Sequence, residues 1–340
     1  MIYYYDEQGN KYLTNLDAIA SGKDCWFYYY DEIFDKVPWK IEPTETLETL
    51  YKLRAQKIRD TYDYVIVCFS GGADSTNVLE SFYYNNIHID EIVMVGAFSQ
   101  DKFVGDDSNH NAEIYYSAYP TLASLNLPNT KITTIDYSIW FDDPNNFSLI
   151  RNYGNEWTKH LGHRKSVHCL FWKDFKYFVG AHNNKKTCYV LGNDKIAYFR
   201  KEKAYITITN TSITDYGNSY SEENFDRVNF YTSYDETALD ILRKQAHVVH
   251  SYDKIENVRN RMQFKDFSRI SDKLVYHNKN QVRYVSKKSQ IEAISERDMF
   301  MINAKNTAMY DMFIEGLKTI QKISSIDKKN LYMTKPYFIE

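Results

Sequence analysis

Six consecutive residues carry the densest chemistry in this chain: Ser70, Gly71, Gly72, Ala73, Asp74 and Ser75. Two adjacent glycines let a backbone bend tightly and bring its N–H groups, Ala73 included, close to an anion. Ser70 and Ser75 add hydroxyl donors. Asp74 would repel a bare phosphate, so a carboxylate among anion-binding groups points to a divalent cation bridging it to the phosphates. The parts amount to a cradle for pyrophosphate with magnesium. A chance match to five fixed residues in a chain of this length is on the order of one in a thousand. The competing signatures G-x-x-x-x-G-K-[ST], G-x-G-x-x-G and G-x-S-x-G are absent from the sequence.

Such a turn works only if its neighbours aim it. Residues 64–69, Tyr-Val-Ile-Val-Cys-Phe, are a short continuous apolar run of the kind buried on both faces of a parallel sheet. A strand there delivers the chain to the carboxyl edge, where open α/β sheets bind ligands. The spacing predicts a helix over 74–84, with Val78, Leu79 and Phe82 inward and Asn85 and Asn86 as its stop. Its positive end falls on the same six residues. Further strands are expected at 92–97, 131–135 and 187–191, the last closed by Gly192. Residues 44–60 read as a helix with Pro43 suiting its first turn, and 112–125 as a helix with Pro120 as a kink or break. This alternation predicts an α/β fold, a parallel twisted sheet with helices on both faces.

Three parts are expected along the chain. Residues 1–42 form a small N-terminal β element, with Gly9 and Asn10 turning a hairpin and another strand at 25–30. Residues 43–205 form the phosphate-binding domain. Residues 206–340 form a mostly helical region, a candidate for substrate binding, with a strand expected at 204–209 on its border.

The hexapeptide with its strand and helix resembles the PP-loop of the N-type ATP pyrophosphatases. That superfamily includes asparagine synthetase, NAD synthetase, GMP synthetase, tRNA lysidine synthetase and the nucleotide-sulfate reductases. The spacing over 64–98 is most similar to the synthetase domain of asparagine synthetase. The resemblance implies an adenine nucleotide alpha-hydrolase-like fold, with ATP and Mg2+ as cofactors. It also implies cleavage of ATP between its α and β phosphates, adenylating a carboxyl or carbonyl oxygen that an amine or ammonia then attacks. It implies that Gly96 gives close backbone approach to adenine. Leu191, Gly192, Asn193, Asp194 and Lys195 are the counterpart of the family's second Gly-rich loop, with Asp194 a magnesium ligand opposite Asp74. Asp106, Asp107, Ser108 and Asn109 form a polar connection into the helix that holds Ala112, Glu113 and Tyr116.

Two departures stand out. The second loop is short, and Lys195 stands where the family usually has Glu. Lys195 is therefore a candidate catalytic cation beside the leaving pyrophosphate, ahead of Arg200, Lys201 and Lys203. Glutamine-dependent members carry a nucleophilic Cys at position 2, whereas this chain has Ile2, and too few residues precede the loop strand for an amidase domain. The nitrogen is then expected as free ammonia, as a substrate amine or from a partner protein. The alternatives within reach are a nucleobase or tRNA modification enzyme, a nucleotide-sulfate reductase, and a module that grips ATP without turnover.

Weaker constellations have plainer readings. His160 and His163 share a helix face but His163 and His168 do not, so with Cys169 nearby a polar helix surface outweighs a metal site; His160, His163, Arg164 and Lys165 could also meet a substrate anion. Residues 254–297 interleave basic residues with Phe264, Phe267, Tyr276 and Tyr284, a composition compatible with nucleic-acid contact, but the helical spacing of the basic residues favours an ordinary charged helix face. Sulfur transfer needs an activated, often paired thiol, and Cys25, Cys68, Cys169 and Cys188 include no Cys-x-x-Cys pair.

Composition sets the outer limits. With 42 Lys and Arg against 45 Asp and Glu in 340 residues, the net charge of -3 excludes a polybasic nucleic-acid or membrane coat. No apolar run approaches the roughly 18 residues of a membrane span, and the aromatic, acidic start is unlike a signal peptide. A cytoplasmic protein with a small-molecule or nucleobase substrate is expected. Its oligomeric state is not legible. The abundance of Tyr, 31 against 12 Gly and 6 Pro, is what an A/T-rich coding sequence yields, small and viral genomes among the sources.

Overall fold

The computed structural model describes residues 3–13, 15–96, 98, 111, 113–136, 148–160, 181–192, 196–200, 202–208, 225–254 and 333–340, with 275, 311–312, 315–316 and 318. The chain opens with β1 (Tyr3–Asp6), β2 (Lys11–Tyr12), α1 (Asn15–Ala20) and β3 (Cys25–Tyr28), followed by the short α2 (Asp31–Phe34). The three strands form an antiparallel sheet ordered β2-β1-β3. Gly9, at φ +81°, supplies the turn between the first two.

α3 (Leu47–Thr61) begins after Thr46, whose side chain accepts the Thr49 N–H and so caps the helix, three residues beyond the start expected at 44, which leaves Pro43 outside its first turn. Then come β4 (Tyr64–Cys68), α4 (Ala73–Tyr83), β5 (Glu91–Gly96), a π-helical turn (Ile114–Ala118) running straight into α5 (Tyr119–Ser124), and β6 (Lys131–Asp136). Pro120 sits in the first turn of α5, at the point where the π-helical turn gives way to α-helix. α6 (Ser148–Tyr153) and a 3-10 stretch (Gly154–His160) lead on to β7 (Thr187–Leu191), β8 (Ala197–Arg200), β9 (Ala204–Thr207), β10 (Phe225–Asn229), α7 (Glu236–Asp253) and β11 (Tyr337–Phe338).

The central sheet has five parallel strands in the order β10-β7-β4-β5-β6. The α/β expectation holds at this level. The fifth strand, β10, lies in the segment read as mostly helical. Its sequence, Phe-Asp-Arg-Val-Asn, carries charge at its centre and lacks the apolar run that marks β4. The strand expected at 204–209 does form, but as β9 in a separate antiparallel sheet ordered β11-β9-β8.

Two cores hold these layers. One face of the parallel sheet (Val65, Val67, Ile92, Met94, Cys188, Val190) packs on Leu50, Ala55 and Ile58 of α3 and on Val78, Leu79 and Phe82 of α4. Each such side chain contributes roughly 1.5–3 kcal/mol on burial. The second core joins the N-terminal sheet (Tyr4, Cys25, Phe27) to Ala204, Ile206, Tyr337 and Leu242. Chain segments far apart in sequence therefore share one interior, and α7 serves both cores through Ile241 and Leu242. Among the described residues, no helix is long and apolar enough to cross a membrane.

Candidate functional site

β4 carries the chain up to the carboxyl edge, where Phe69 still donates its N–H to Val93 O at 2.8 Å before the turn begins. Ser70 is exposed, and Gly71 takes φ +85°, a left-handed conformation that side chains resist. A Cβ on Gly71 would also stand 2.6 Å from the Ala118 backbone nitrogen. The turn is therefore pressed against the π-helical segment, and only glycine fits. Ser117 Oγ donates to Gly71 O at 2.6 Å, and Thr76 Oγ1 donates to the same oxygen at 3.4 Å, fixing the orientation of that peptide.

Inside the turn the two serines face each other, with Ser70 Oγ and Ser75 Oγ 3.1 Å apart. Ser70 N donates to Ser75 Oγ at 3.3 Å, and Gly72 N to Ser70 Oγ at 3.2 Å. Gly72 is the extended residue before α4 and offers no side-chain cap. The N–H groups of Ala73, Asp74 and Ser75 are those no helical carbonyl can reach, and they sit at the positive end of an eleven-residue helix. Glu113 brings a second carboxylate over the turn: its Oε1 lies 3.1 Å from where a Cβ on Gly72 would be.

The strand order makes this turn the centre of the sheet's switch point. From β4 the chain moves outward to β5 and β6, then returns to lay β7 and β10 on the other side of β4. Ligands bind at such reversals in open α/β sheets. Cys68 pairs in register with Leu191, so the chain leaves β4 and β7 at the same level of the sheet. Gly192, the residue after β7, touches the first turn of α4: a Cβ there would meet Ser75 Cα at 2.7 Å and Ser75 N at 2.8 Å.

A buried brace holds the first turn of α4 from behind. Tyr231 OH donates to Asp74 O at 2.9 Å and accepts from Asn77 Nδ2 at 2.9 Å. The strand end before Tyr231 is held by Arg54, which donates to Asn229 O at 3.0 Å and Phe230 O at 3.1 Å and pairs with Asp235. Burial opposes the charge on Asp235, but Arg54, with hydrogen bonds from Thr237 and the Ala238 N–H, holds its carboxyl below the ordinary range. Tyr29 of the segment after β3 donates to Thr232 O at 2.6 Å, tying the N-terminal element to the same brace. None of Ser117, Tyr231 or Arg54 stands out in the sequence. Each acts through a partner at least 46 residues away, and no local spacing marks such a pair.

The expected site residues fall as follows. Ser70, Gly71, Gly72, Ala73, Asp74 and Ser75 form one turn, and Gly192 joins them. Gly96 ends β5 on the adenine side of the expected arrangement, but the room it leaves is filled by the Phe98 ring, 2.7 Å from a would-be Cβ, and by Asn111 Oδ1 at 2.8 Å. Asp194 and Lys195 lie outside the described residues, as do His163, Arg164, Lys165, His168, Cys169, Lys201 and all of 254–297 except Lys254 and Val275. Arg200 is not a free cation for phosphate: it is paired with Asp253 at 3.0 Å.

The donor set fits magnesium better than a closed metal centre. Among the described residues no three His, Cys, Asp or Glu side chains converge on one point. Magnesium characteristically takes one or two carboxylates together with substrate phosphates, and Asp74 and Glu113 beside the turn are of that type. Comparison with family models, curated proteins and solved structures finds no match for the chain.

Proposed function

We propose that the chain binds ATP with Mg2+ at residues 70–75 and splits it between the α and β phosphates, activating a carboxyl or carbonyl group for attack by an amine. The observation that carries this reading is the contact of Gly192 with Ser75, which sets the residue after β7 against the first turn of α4 at the switch point of a parallel sheet. A Gly-rich turn on the N-terminus of α4 offers backbone N–H groups to an anion, and a second glycine packed against it leaves room for backbone to approach a pyrophosphate group closely.

In this reading the N–H groups of Ala73, Asp74 and Ser75 and the hydroxyls of Ser70 and Ser75 hold the β and γ phosphates. Asp74, with Asp194 and Glu113, would hold magnesium, which supplies charge neutralisation on the phosphates. The chain's own contribution is orientation and a fixed field: the turn is already shaped by Gly71, Ser117 and Tyr231, so little rearrangement is left for binding. Lys195 follows Gly192 by three residues in sequence and would stabilise charge developing on the leaving pyrophosphate.

The acceptor is a small molecule or a nucleobase. Sulfur relay is disfavoured at Cys68 and Cys188, because burial pushes Cys68 up to about 12 and raises Cys188 well above its ordinary value, leaving neither as a thiolate near neutral pH. Incubation with α-labelled ATP and Mg2+, alone and with candidate acceptors, tests the reading. AMP and pyrophosphate support it. Release of ADP, or no affinity for ATP, ends it, and tightly held intact ATP with every acceptor makes the chain a binding module.

A further inference from the structure

We infer that Tyr231 is a positioning residue of the phosphate site, its hydroxyl orienting and polarising the Asp74–Ser75 peptide so that the Ser75 N–H is a stronger donor to phosphate; this rests on the reading of 70–75 as an ATP site. Tyr231 is fully buried. Its hydroxyl donates to Asp74 O at 2.9 Å and accepts from Asn77 Nδ2 at 2.9 Å. Asp74 lies in the first turn of α4, where a carbonyl already accepts the helical N–H four residues on. The phenol therefore adds a second bond to the same oxygen, using its other lone pair.

A donor on a peptide oxygen draws electron density toward it and makes the N–H of the same peptide a better donor, the cooperative strengthening of hydrogen-bond chains. The N–H that shares a peptide with Asp74 O is that of Ser75, one of those the helix start leaves without a helical carbonyl. Asn77 lengthens the chain, because a bond accepted by the phenol oxygen strengthens its O–H as a donor. The same construction recurs along the turn. Gly71 O takes the hydroxyls of Ser117 at 2.6 Å and Thr76 at 3.4 Å. Gly72 O, in the peptide of the Ala73 N–H, takes the Ser75 hydroxyl at 3.2 Å and the Thr76 N–H at 2.9 Å. Hydroxyls thus sit on the carbonyl side of three peptides in and beside this turn, and Tyr231 supplies the one that comes from beyond β10.

The phenol is held so that it cannot drift. Phe230 N donates to Leu191 O at 2.9 Å, which ties the preceding residue to the end of β7. Arg54 holds the carbonyls of Asn229 and Phe230. The ring meets Tyr51 and Phe230 edge to face, with centroids 6.2 and 5.2 Å away. A phenylalanine in its place keeps this packing and loses the bond to Asp74 O.

The test is calorimetric titration with inorganic pyrophosphate plus Mg2+ of wild type, Tyr231→Phe, and a chain with a ring-fluorinated tyrosine at position 231, whose hydroxyl is the stronger donor. Affinity should fall in the order fluorotyrosine, tyrosine, phenylalanine, with Tyr231→Phe about three- to tenfold weaker than wild type. A ring that only filled space would give no such order. The Ser75 amide proton resonance of the free protein should move upfield in Tyr231→Phe and downfield in the fluorotyrosine chain. Equal pyrophosphate affinity in wild type and Tyr231→Phe overturns the inference while leaving the ATP site standing, and so does a fluorotyrosine chain that binds no tighter than wild type. Absence of pyrophosphate binding in wild type overturns both. Should Tyr231→Phe fail to fold, the comparison of the fluorotyrosine chain with wild type decides by the same criterion.

Discussion

Gly192 rests directly on the backbone of Ser75, so closely that a single added methyl group would stand 2.8 Å from the Ser75 nitrogen. That nitrogen belongs to the first turn of α4, whose N–H groups have no side-chain cap from Gly72. Gly192→Ala is therefore expected to push the two turns apart without disturbing either core. Circular dichroism should show a folded protein, and calorimetry should show ATP affinity reduced at least tenfold, since backbone cannot yield as a flexible side chain can.

Gly71→Ala combines a left-handed φ of +85° with a contact of 2.6 Å to the backbone nitrogen of Ala118. The strain and the overpacking together are expected to cost about 2–4 kcal/mol of stability. Ala118→Gly should not rescue it, because the nearest obstructing atom is main chain. Denaturant melts of the single and double variants check this, and recovery in the double variant contradicts it.

Ser117→Ala removes the 2.6 Å hydrogen bond to Gly71 O, leaving Thr76 as the other hydroxyl on that oxygen. A stability loss of about 1 kcal/mol is expected. If the peptide orientation matters for phosphate binding, KM for ATP rises while the melting temperature falls by only a few degrees.

Asp74→Asn keeps the shape of the turn but removes its charge. Turnover dependent on Mg2+ should fall by two orders of magnitude or more, as for loss of a group acting on developing charge. Nucleotide binding without metal should tighten or stay level, because a carboxylate no longer repels phosphate. Unchanged Mg2+-dependent activity contradicts the proposed role.

Asp235 gives a pH dependence with a definite sign. Its folded pKa is held below the unfolded value by Arg54, so its contribution is complete above the ordinary carboxylate pKa near 4. It is lost as the pH falls through the lower, folded value. Asp235→Asn, which leaves the buried Arg54 without its charge partner, should cost about 3 kcal/mol at neutral pH. That cost should shrink steadily below pH 4. A difference between variant and wild type that stays constant down to pH 2 would contradict the assignment.

The sequence alone determined the turn at 70–75, because an apolar run, two glycines and an amphipathic helix encode strand, bend and helix within 20 residues of each other. It also determined β5 and β7 by the same local rule of buried parallel strands, and it marked β6 as a strand although β6 lies largely exposed at the sheet edge. Only the tertiary structure decided that Gly192 meets Ser75, since strand order depends on which edges pair, and local periodicity does not carry that information. It likewise decided that the segment Phe225–Asn229 completes the sheet, where charged residues hide the apolar pattern, and that Ser117 and Tyr231 brace the turn from distant segments. Local sequence fixes which backbone shapes are cheap, whereas the partners that make those shapes into a site are chosen by burial across the whole chain.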